Sequence, residues 1–283
     1  MRFSRRAMVL GCAAALGGCG TRSPVAPSAA TQAPTGRPPA TAAMVTDPEA
    51  VGLNAVIDIS HSNSVADFGR VRAASPVLAV IHKATEGYDW VDPLYARRRA
   101  EAEAAGLLWG AYHFGTYQHS GAEQAATFLA VAQPGPQTLI ALDLELNERN
   151  HANSMDLSRA EEFVRAILAA TGRLPLVYVH PAWADGEPVG GSRRTLGGAI
   201  RRNSILAACD LWLADYRSRP ELPSAWAGIG WRLWQYTGDE SGGPFRAYAR
   251  AVAGVDRCDR NLFGGDVSGL ARYWLDLAGR PQV

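Results

Sequence analysis

From residue 53 onward the chain alternates short apolar runs with amphipathic segments, and this alternation restricts its fold more than any other feature. Strand-like runs fall at 55–60, 77–83, 107–114, 138–145, 174–180, 211–216 and 231–237, with a weaker one at 251–256. Helical patterns occupy 67–74, 93–105, 121–132, 157–171 and 197–208, and 267–277 closes the series. Gly106 and Gly172 each follow a helical pattern, the place where glycine ends helices most readily. Such alternation calls for parallel βα units. Eight strands fit one closed α/β barrel of the TIM type better than two domains. The rhythm loosens after the fifth strand, which points to an incomplete ring of helices. A doubly wound open sheet is the structural alternative, but no glycine-rich phosphate loop follows the first strand.

The fourth strand carries the strongest chemical signal. In Leu139-Ile-Ala-Leu-Asp-Leu-Glu145, alternation puts Leu139, Ala141, Asp143 and Glu145 on one face and Ile140, Leu142 and Leu144 on the other. The second face is wholly apolar, as expected for a strand covered by helices. The first ends in two carboxyls roughly 6–7 Å apart along the strand. Acids this close raise one another's proton affinity, so one can hold a proton while the other is ionised. Splitting a glycosidic bond needs that division of labour.

The C-terminal strand ends of a parallel barrel form its active face, and here every one is polar. The first strand ends in Asp58-Ile-Ser60-His61 and the second in His82-Lys83, running on to Glu86. Tyr112-His113-Phe114 ends the third, and Tyr178 and His180 the fifth. The sixth gives Asp215-Tyr216, the seventh Trp234-Gln235-Tyr236, and Asp259-Arg-Asn261 follows the eighth. With eight Trp and nine Tyr in the chain, flat rings at strand ends are candidates for stacking on sugars. His61, His82 and His113 together with the acids allow an alternative reading as a metal centre. No His-x-His pair occurs on the first strand, however, and His82 alternates with Val80 whereas Lys83 alternates with Ile81. Structural histidines are therefore favoured, and no metal or cofactor is expected.

The runs Asp58-Ile-Ser-His-Ser-Asn63, Ile81-His-Lys-Ala-Thr-Glu-Gly87, Gly110-Ala-Tyr-His-Phe114, Leu142-Asp-Leu-Glu145, Leu211-Trp-Leu-Ala-Asp-Tyr216, Trp234-Gln-Tyr236 and Asp259-Arg-Asn261 resemble the family-25 glycoside hydrolases. That family comprises lysozyme-type N-acetylmuramidases on a modified β/α barrel, five βα units followed by three strands. The resemblance implies a peptidoglycan hydrolase cutting the β-1,4 bond between N-acetylmuramic acid and N-acetylglucosamine. It implies Glu145 as general acid with Asp143 assisting, and Asp58 and Asp259 completing an acidic cluster. Tyr112, Tyr178, Tyr216, Gln235 and Lys83 fall where substrate is contacted. Two departures stand out. Asp256 competes with Asp259 for the last acidic position, and 184–204, with its Gly-Gly-Ser-Arg-Arg run, is longer than the usual connection. Two other functions are weighed beside this one. A chitinase-like enzyme would need a further acid where Ala141 stands, and the intact acids argue against a non-catalytic wall-binding lipoprotein.

The remainder concerns placement in the cell. Residues 1–18 combine a basic start, Met1-Arg-Phe-Ser-Arg-Arg6, with a short apolar run, as a secretory signal does. Leu16-Gly-Gly-Cys19 resembles the lipobox of bacterial lipoproteins, which implies a lipidated Cys19 and a bilayer as partner. Ser4-Arg-Arg6 bears a weaker likeness to a twin-arginine export motif. Residues 19–50, rich in Ala, Pro and Thr, read as a disordered tether, and 51–283 as the catalytic domain. Gly20 rather than Asp after the cysteine implies the outer membrane, facing the periplasm, in a double-membraned cell. Cys209 and Cys258 are candidates for a disulfide in an oxidising compartment. The net charge of +1 gives no electrostatic case for nucleic acid, and a monomer is expected.

Overall fold

A computed structural model describes residues 44–238 and 243–276. The proposed signal, Cys19 and most of the tether lie outside the described residues. Strands β1 (Leu53–Ile59), β2 (Ala79–Glu86), β4 (Leu108–Phe114), β5 (Leu139–Asp143), β6 (Leu176–Val179) and β7 (Leu211–Ala214) follow one another as parallel neighbours, with β8 (Leu233–Thr237) parallel to β7. The last, β9 (Asp259–Phe263), runs antiparallel to both β8 and β1 and closes the barrel. A two-residue strand β3 (Trp90–Val91) folds back on β2. Helices α1 (Phe68–Ala74), α2 (Tyr95–Ala104), α3 (Gly121–Ala132), α4 (Leu157–Thr171) and the short α5 (Pro181–Ala184) follow the first five barrel strands. Among the described residues, the α-helices after α5 are the short α6 (Ile205–Ala208) and the terminal α7 (Val267–Leu275). The fold is thus the modified α/β barrel, five βα units and then three strands.

Local chemistry sets the helix ends. Asp67, Ser120, Asp156 and Asp266 accept from first-turn amides of α1, α3, α4 and α7. Ser120 and Glu123 form a reciprocal capping box. Gly172 closes α4 at φ 69°, as its place in the sequence suggests. Gly121 is fixed by a close approach: a Cβ there would lie 1.9 Å from the Arg159 carbonyl oxygen of α4. The two helices meet backbone to backbone at that point.

Two apolar clusters follow from strand alternation. Ile57, Val80, Ala111, Leu142 and Val177 point outward under the helices. Val56, Ile81, Ala141, Leu176, Trp212, Leu233 and Phe263 fill the barrel. Leu270, Tyr273 and Trp274 of α7 join that inner cluster. Trp274 Nε1 donates to the Trp109 carbonyl at 2.8 Å and Tyr273 to Asp210 Oδ2 at 2.8 Å, both at strand starts, so α7 plugs the end opposite the active face.

Three expectations are corrected. The weak strand at 251–256 is absent; those residues form turns, and the eighth barrel strand is Asp259–Phe263. Its mixed polar sequence hides it, because Asn261 and Arg260 are buried by hydrogen bonding rather than by apolarity. The helix expected at 197–208 shrinks to Ile205–Ala208, since Gly197 at φ 90° and Gly198 begin it poorly. Finally, Cys209 and Cys258 are both buried and form no disulfide with each other.

Candidate active site

Because β9 is antiparallel, its first residue, Asp259, lies at the same mouth as the last inward residues of the parallel strands. Asp58 and Asp259 are direct partners across β1 and β9. Opposed like charges destabilise a strand pair, and Gln235 relieves this. Its Nε2 donates to both oxygens of Asp58 at 3.0 Å and reaches Asp259 Oδ2 at 3.4 Å. Its Oε1 accepts from the Tyr178 hydroxyl at 2.8 Å and the Tyr216 hydroxyl at 2.5 Å. Asn261 Nδ2 adds a 2.7 Å bond to Asp58 Oδ2, while its Oδ1 accepts from Trp212 Nε1 at 2.6 Å. Gln235 is buried, and its amide is engaged within this network. Tyr178 and Tyr216 keep a surface on the groove while holding Gln235.

The β2–β5 side is organised differently. A register shift in β2 between Lys83 and Thr85 turns Thr85 outward, where its hydroxyl meets His113 Nδ1 at 2.8 Å. Glu86 is thereby restored to the inner side, and Lys83 Nζ donates to Glu86 Oε2 at 2.6 Å. The same ammonium lies 4.9 Å from the Trp90 ring centroid and 4.7 Å from that of Phe114. Asp143, paired in register with Phe114 and Tyr178, is buried, yet its Oδ1 has no hydrogen-bond partner. Burial above all, then the charge of Glu145, pushes the Asp143 carboxyl well above the usual range, against the pull of Lys83. Burial and then Glu148 push Glu145 up to about 7. The expected split, with Asp143 ionised beside a protonated Glu145, thus meets an opposing tendency: the surroundings of both acids favour the protonated form. Tyr112 marks where the acids converge. Its phenol is raised first by burial, then by Asp143, Asp58, Asp259 and Glu145.

Two cavities open on this mouth. The larger, about 580 Å³, is lined by Lys83, Glu86, Trp90, Tyr112, Asp143 and Glu145 among others. A second, about 510 Å³, is lined by Tyr178, His180, Trp183, Val189 and Tyr216. Glu145, Leu146 and Glu148 belong to both, so Glu145 stands at the divide of one groove.

The competing residues fall elsewhere. Asp256 is exposed and sits 4.0 Å from Arg250, whereas Asp259 is in the mouth. His82 and His113 point out of the barrel. His82 contacts the Lys83 carbonyl and Arg98, and burial lowers it to about 4. His113 binds Thr85 and Gln124, stacks on Phe163 at 4.8 Å, and is lowered by burial to about 3. His61 sits at the lip, 3.2 Å from Asp92 and with its ring tilted against Trp90 at 5.1 Å. Among the described residues no group of three or more His, Cys, Asp and Glu is placed to hold a metal ion.

Asn261, Trp212 and Glu86 complete the mouth without a role assigned from sequence. Asn261 is in phase with Asp259, and Trp212 with Ala214, which was the available signal for both. Glu86, polar at the end of the second strand, reaches the inner side only through the irregularity in β2.

Comparison with known proteins agrees with this geometry. The profile of Glycosyl hydrolases family 25 matches residues 57–243, well over half of the chain. Lysozyme M1 of Streptomyces globisporus is 28% identical over 226 residues, 76% of this chain and 69% of that protein. YegX of Escherichia coli strain K12 is 27% identical over 197 residues, 68% of this chain but 61% of its own length, so the chain spans less than two thirds of that relative. The bacterial lysozyme structure from Streptomyces coelicolor superposes with a TM-score of 0.64 at 26% identity, covering 80% of this chain and 99% of that one. A muramidase from Acremonium alcalophilum gives 0.61 at 27%, covering 77% and 97%. The profile match ends before β9, so Asp259 and Asn261 lie outside the matched span. Asp58, Asp143 and Glu145, by contrast, lie within the matched span, on a barrel of the same architecture, and this chain belongs to glycosyl hydrolases family 25.

Proposed function

We propose that the protein is a peptidoglycan muramidase that cleaves the β-1,4 bond between N-acetylmuramic acid and N-acetylglucosamine, with Glu145 as the general acid. One observation carries the reading. Glu145 lies at the junction of the two cavities, where a bound glycan crossing the groove places its scissile oxygen, and its carboxyl is pushed up to about 7. An acid is most effective when its pKa lies near the working pH.

Asp143 is the partner. Its unpartnered Oδ1 suits a substrate amide N–H, and the 2-acetamido group of either sugar supplies one. That bond, with the nearby Lys83 charge, favours ionisation of Asp143 once substrate is present. The acetamido carbonyl is then held to attack the anomeric carbon as Glu145 protonates the leaving oxygen, a substrate-assisted route with retention. Asp58, fixed by Gln235 and Asn261, lends negative charge to the anomeric centre. Tyr112 and Lys83 contact the sugar in the larger cavity, and Tyr178 and Tyr216 in the smaller.

Digestion of purified peptidoglycan with mass analysis of the new ends tests the reading. Reducing muramic ends are expected. Reducing glucosamine ends, or none, overturn it.

We propose in addition that the chain is exported and held in the envelope by lipid on Cys19, on the strength of Leu16-Gly-Gly-Cys19. Cys19→Ser should then move the protein from the membrane fraction to the soluble one, and unchanged membrane association contradicts the anchor.

A further inference from the structure

The long segment after α5 carries Arg194 to Tyr117, whose chain neighbours Gln118 and His119 line the larger cavity. Its Gly190 lies over the loop that follows β5, where a Cβ would stand 3.1 Å from Leu146 Cδ2 and 3.8 Å from Glu148 Oε1. Farther along, the Arg194 guanidinium sits 5.1 Å from the ring centroid of Tyr117, while Arg159 sits 4.0 Å from the same ring. Tyr117 is 41% exposed, so the ring is gripped by two cations yet still meets solvent. Its main-chain N–H donates to the Asn153 carbonyl at 3.0 Å, and that of Gln118 to Asn153 Oδ1 at 3.1 Å, locking the loops after β4 and β5 together. Next to it His119, strained at φ 66°, stacks on the exposed Tyr88 at 4.4 Å. Gln118, His119, Arg149 and Asn153 line the cavity that holds Asp143 and Glu145.

The two arginines on Tyr117 differ in one respect. Arg159 is neutralised by Asp156 at 2.7 Å. Arg194 has no carboxylate partner among the described residues, nor have the exposed Arg149 and Arg193, and the buried Arg194 Nε makes no hydrogen bond. Glu148, the sequence neighbour of Arg149, also lines the groove. A guanidinium laid against a ring keeps its in-plane N–H groups free, in the geometry that matches a carboxylate.

We propose that Arg194 and Arg149 bind free carboxylates of the peptide that muramic acid carries on its lactyl group, so that the enzyme selects peptide-bearing wall over bare glycan. This deepens the muramidase reading and rests on it. A neutral N-acetylated glycan offers nothing to three uncompensated arginines. A glycan with an anionic peptide beside each cleavage site does.

The test compares binding of the full chain, inactivated as Glu145→Gln, to purified sacculi and to the same sacculi stripped of peptide by an amidase. The parent should sediment with intact sacculi about tenfold more tightly than with stripped ones, and more salt should narrow the gap. Arg149→Gln combined with Arg194→Gln should erase the difference by weakening the intact-wall complex alone, and Lys at both positions should restore part of it. Equal binding to both substrates by the parent overturns the proposal, as does an equal loss on both in the double variant. Arginine-dependent binding that persists on stripped sacculi assigns the arginines to another wall anion and overturns it too. Reducing ends released by the Glu145 enzyme are scored separately. Their absence sinks the muramidase reading, while the binding comparison still decides what the arginines recognise.

Discussion

The two sides of the barrel mouth treat their acids in opposite ways. On the β1–β8–β9 side, Asp58 is enclosed by the amides of Gln235 and Asn261, themselves fixed by Tyr178, Tyr216 and Trp212. On the β5 side, Asp143 keeps a buried oxygen without a partner and Glu145 stands open to both cavities. Satisfied polar networks stiffen a site, whereas an unsatisfied buried oxygen costs free energy until a ligand meets it. One side is a frame and the other is the reacting edge. Substitutions should therefore separate them: the reacting edge should lose turnover with little loss of stability, and the frame should lose stability first.

Glu145→Gln should show the largest effect, a fall in turnover by a factor of about 100 or more with glycan binding largely kept. A variant lysing wall at near wild-type rate breaks the comparison at its reactive end. Asp143→Asn should cost about 10- to 100-fold in turnover, since an amide still bonds the acetamido group but carries no charge. Its melting temperature should hold or rise, because a neutral group suits that buried place better.

The frame is probed by Gln235→Ala. Asp58 would keep fewer donors and two tyrosine hydroxyls would lose their acceptor, a loss of about 3 kcal/mol measured by denaturant unfolding. Tyr216→Phe removes one of the two donors to Gln235 Oε1 and should cost about 1 kcal/mol. If Gln235→Ala leaves stability intact, the network is not a frame.

The pH dependence of stability sharpens the same contrast. Glu145 titrates near 7 in the fold against an ordinary 4.5 in the unfolded chain. The native state therefore holds the proton longer, so Glu145 makes stability fall as pH rises from about 4.5 to 7, with nothing further lost above. Thermal melts across this window should be flatter for Glu145→Gln than for wild type.

How much of this was legible in the sequence follows the same division. Asp143 and Glu145 end an apolar parallel strand whose alternation is unambiguous, and Lys83 and His82 separate inward and outward by simple phase. Closure of the barrel was harder to see. Strand β9 begins with Asp259-Arg-Asn261, and no apolar pattern announces it because its buried groups bond to Asp58, Asn54 and Tyr248 across long sequence separations. The same long-range bonding ties Gln235 to Asp58 and Tyr178, which periodicity does not show. Glu86 reaches the groove only through the irregularity in β2, which periodicity does not encode. The helix expected at 197–208 yields to a glycine-rich loop that carries Arg194.

The pH profile of kcat/KM on solubilised glycan strands tests the central claim most directly, since it reports the ionisation of the free enzyme's essential acid. A descending limb centred near 7 is predicted, where Glu145 gives up its proton. A rate that stays constant well above that pH would contradict Glu145 as the proton donor.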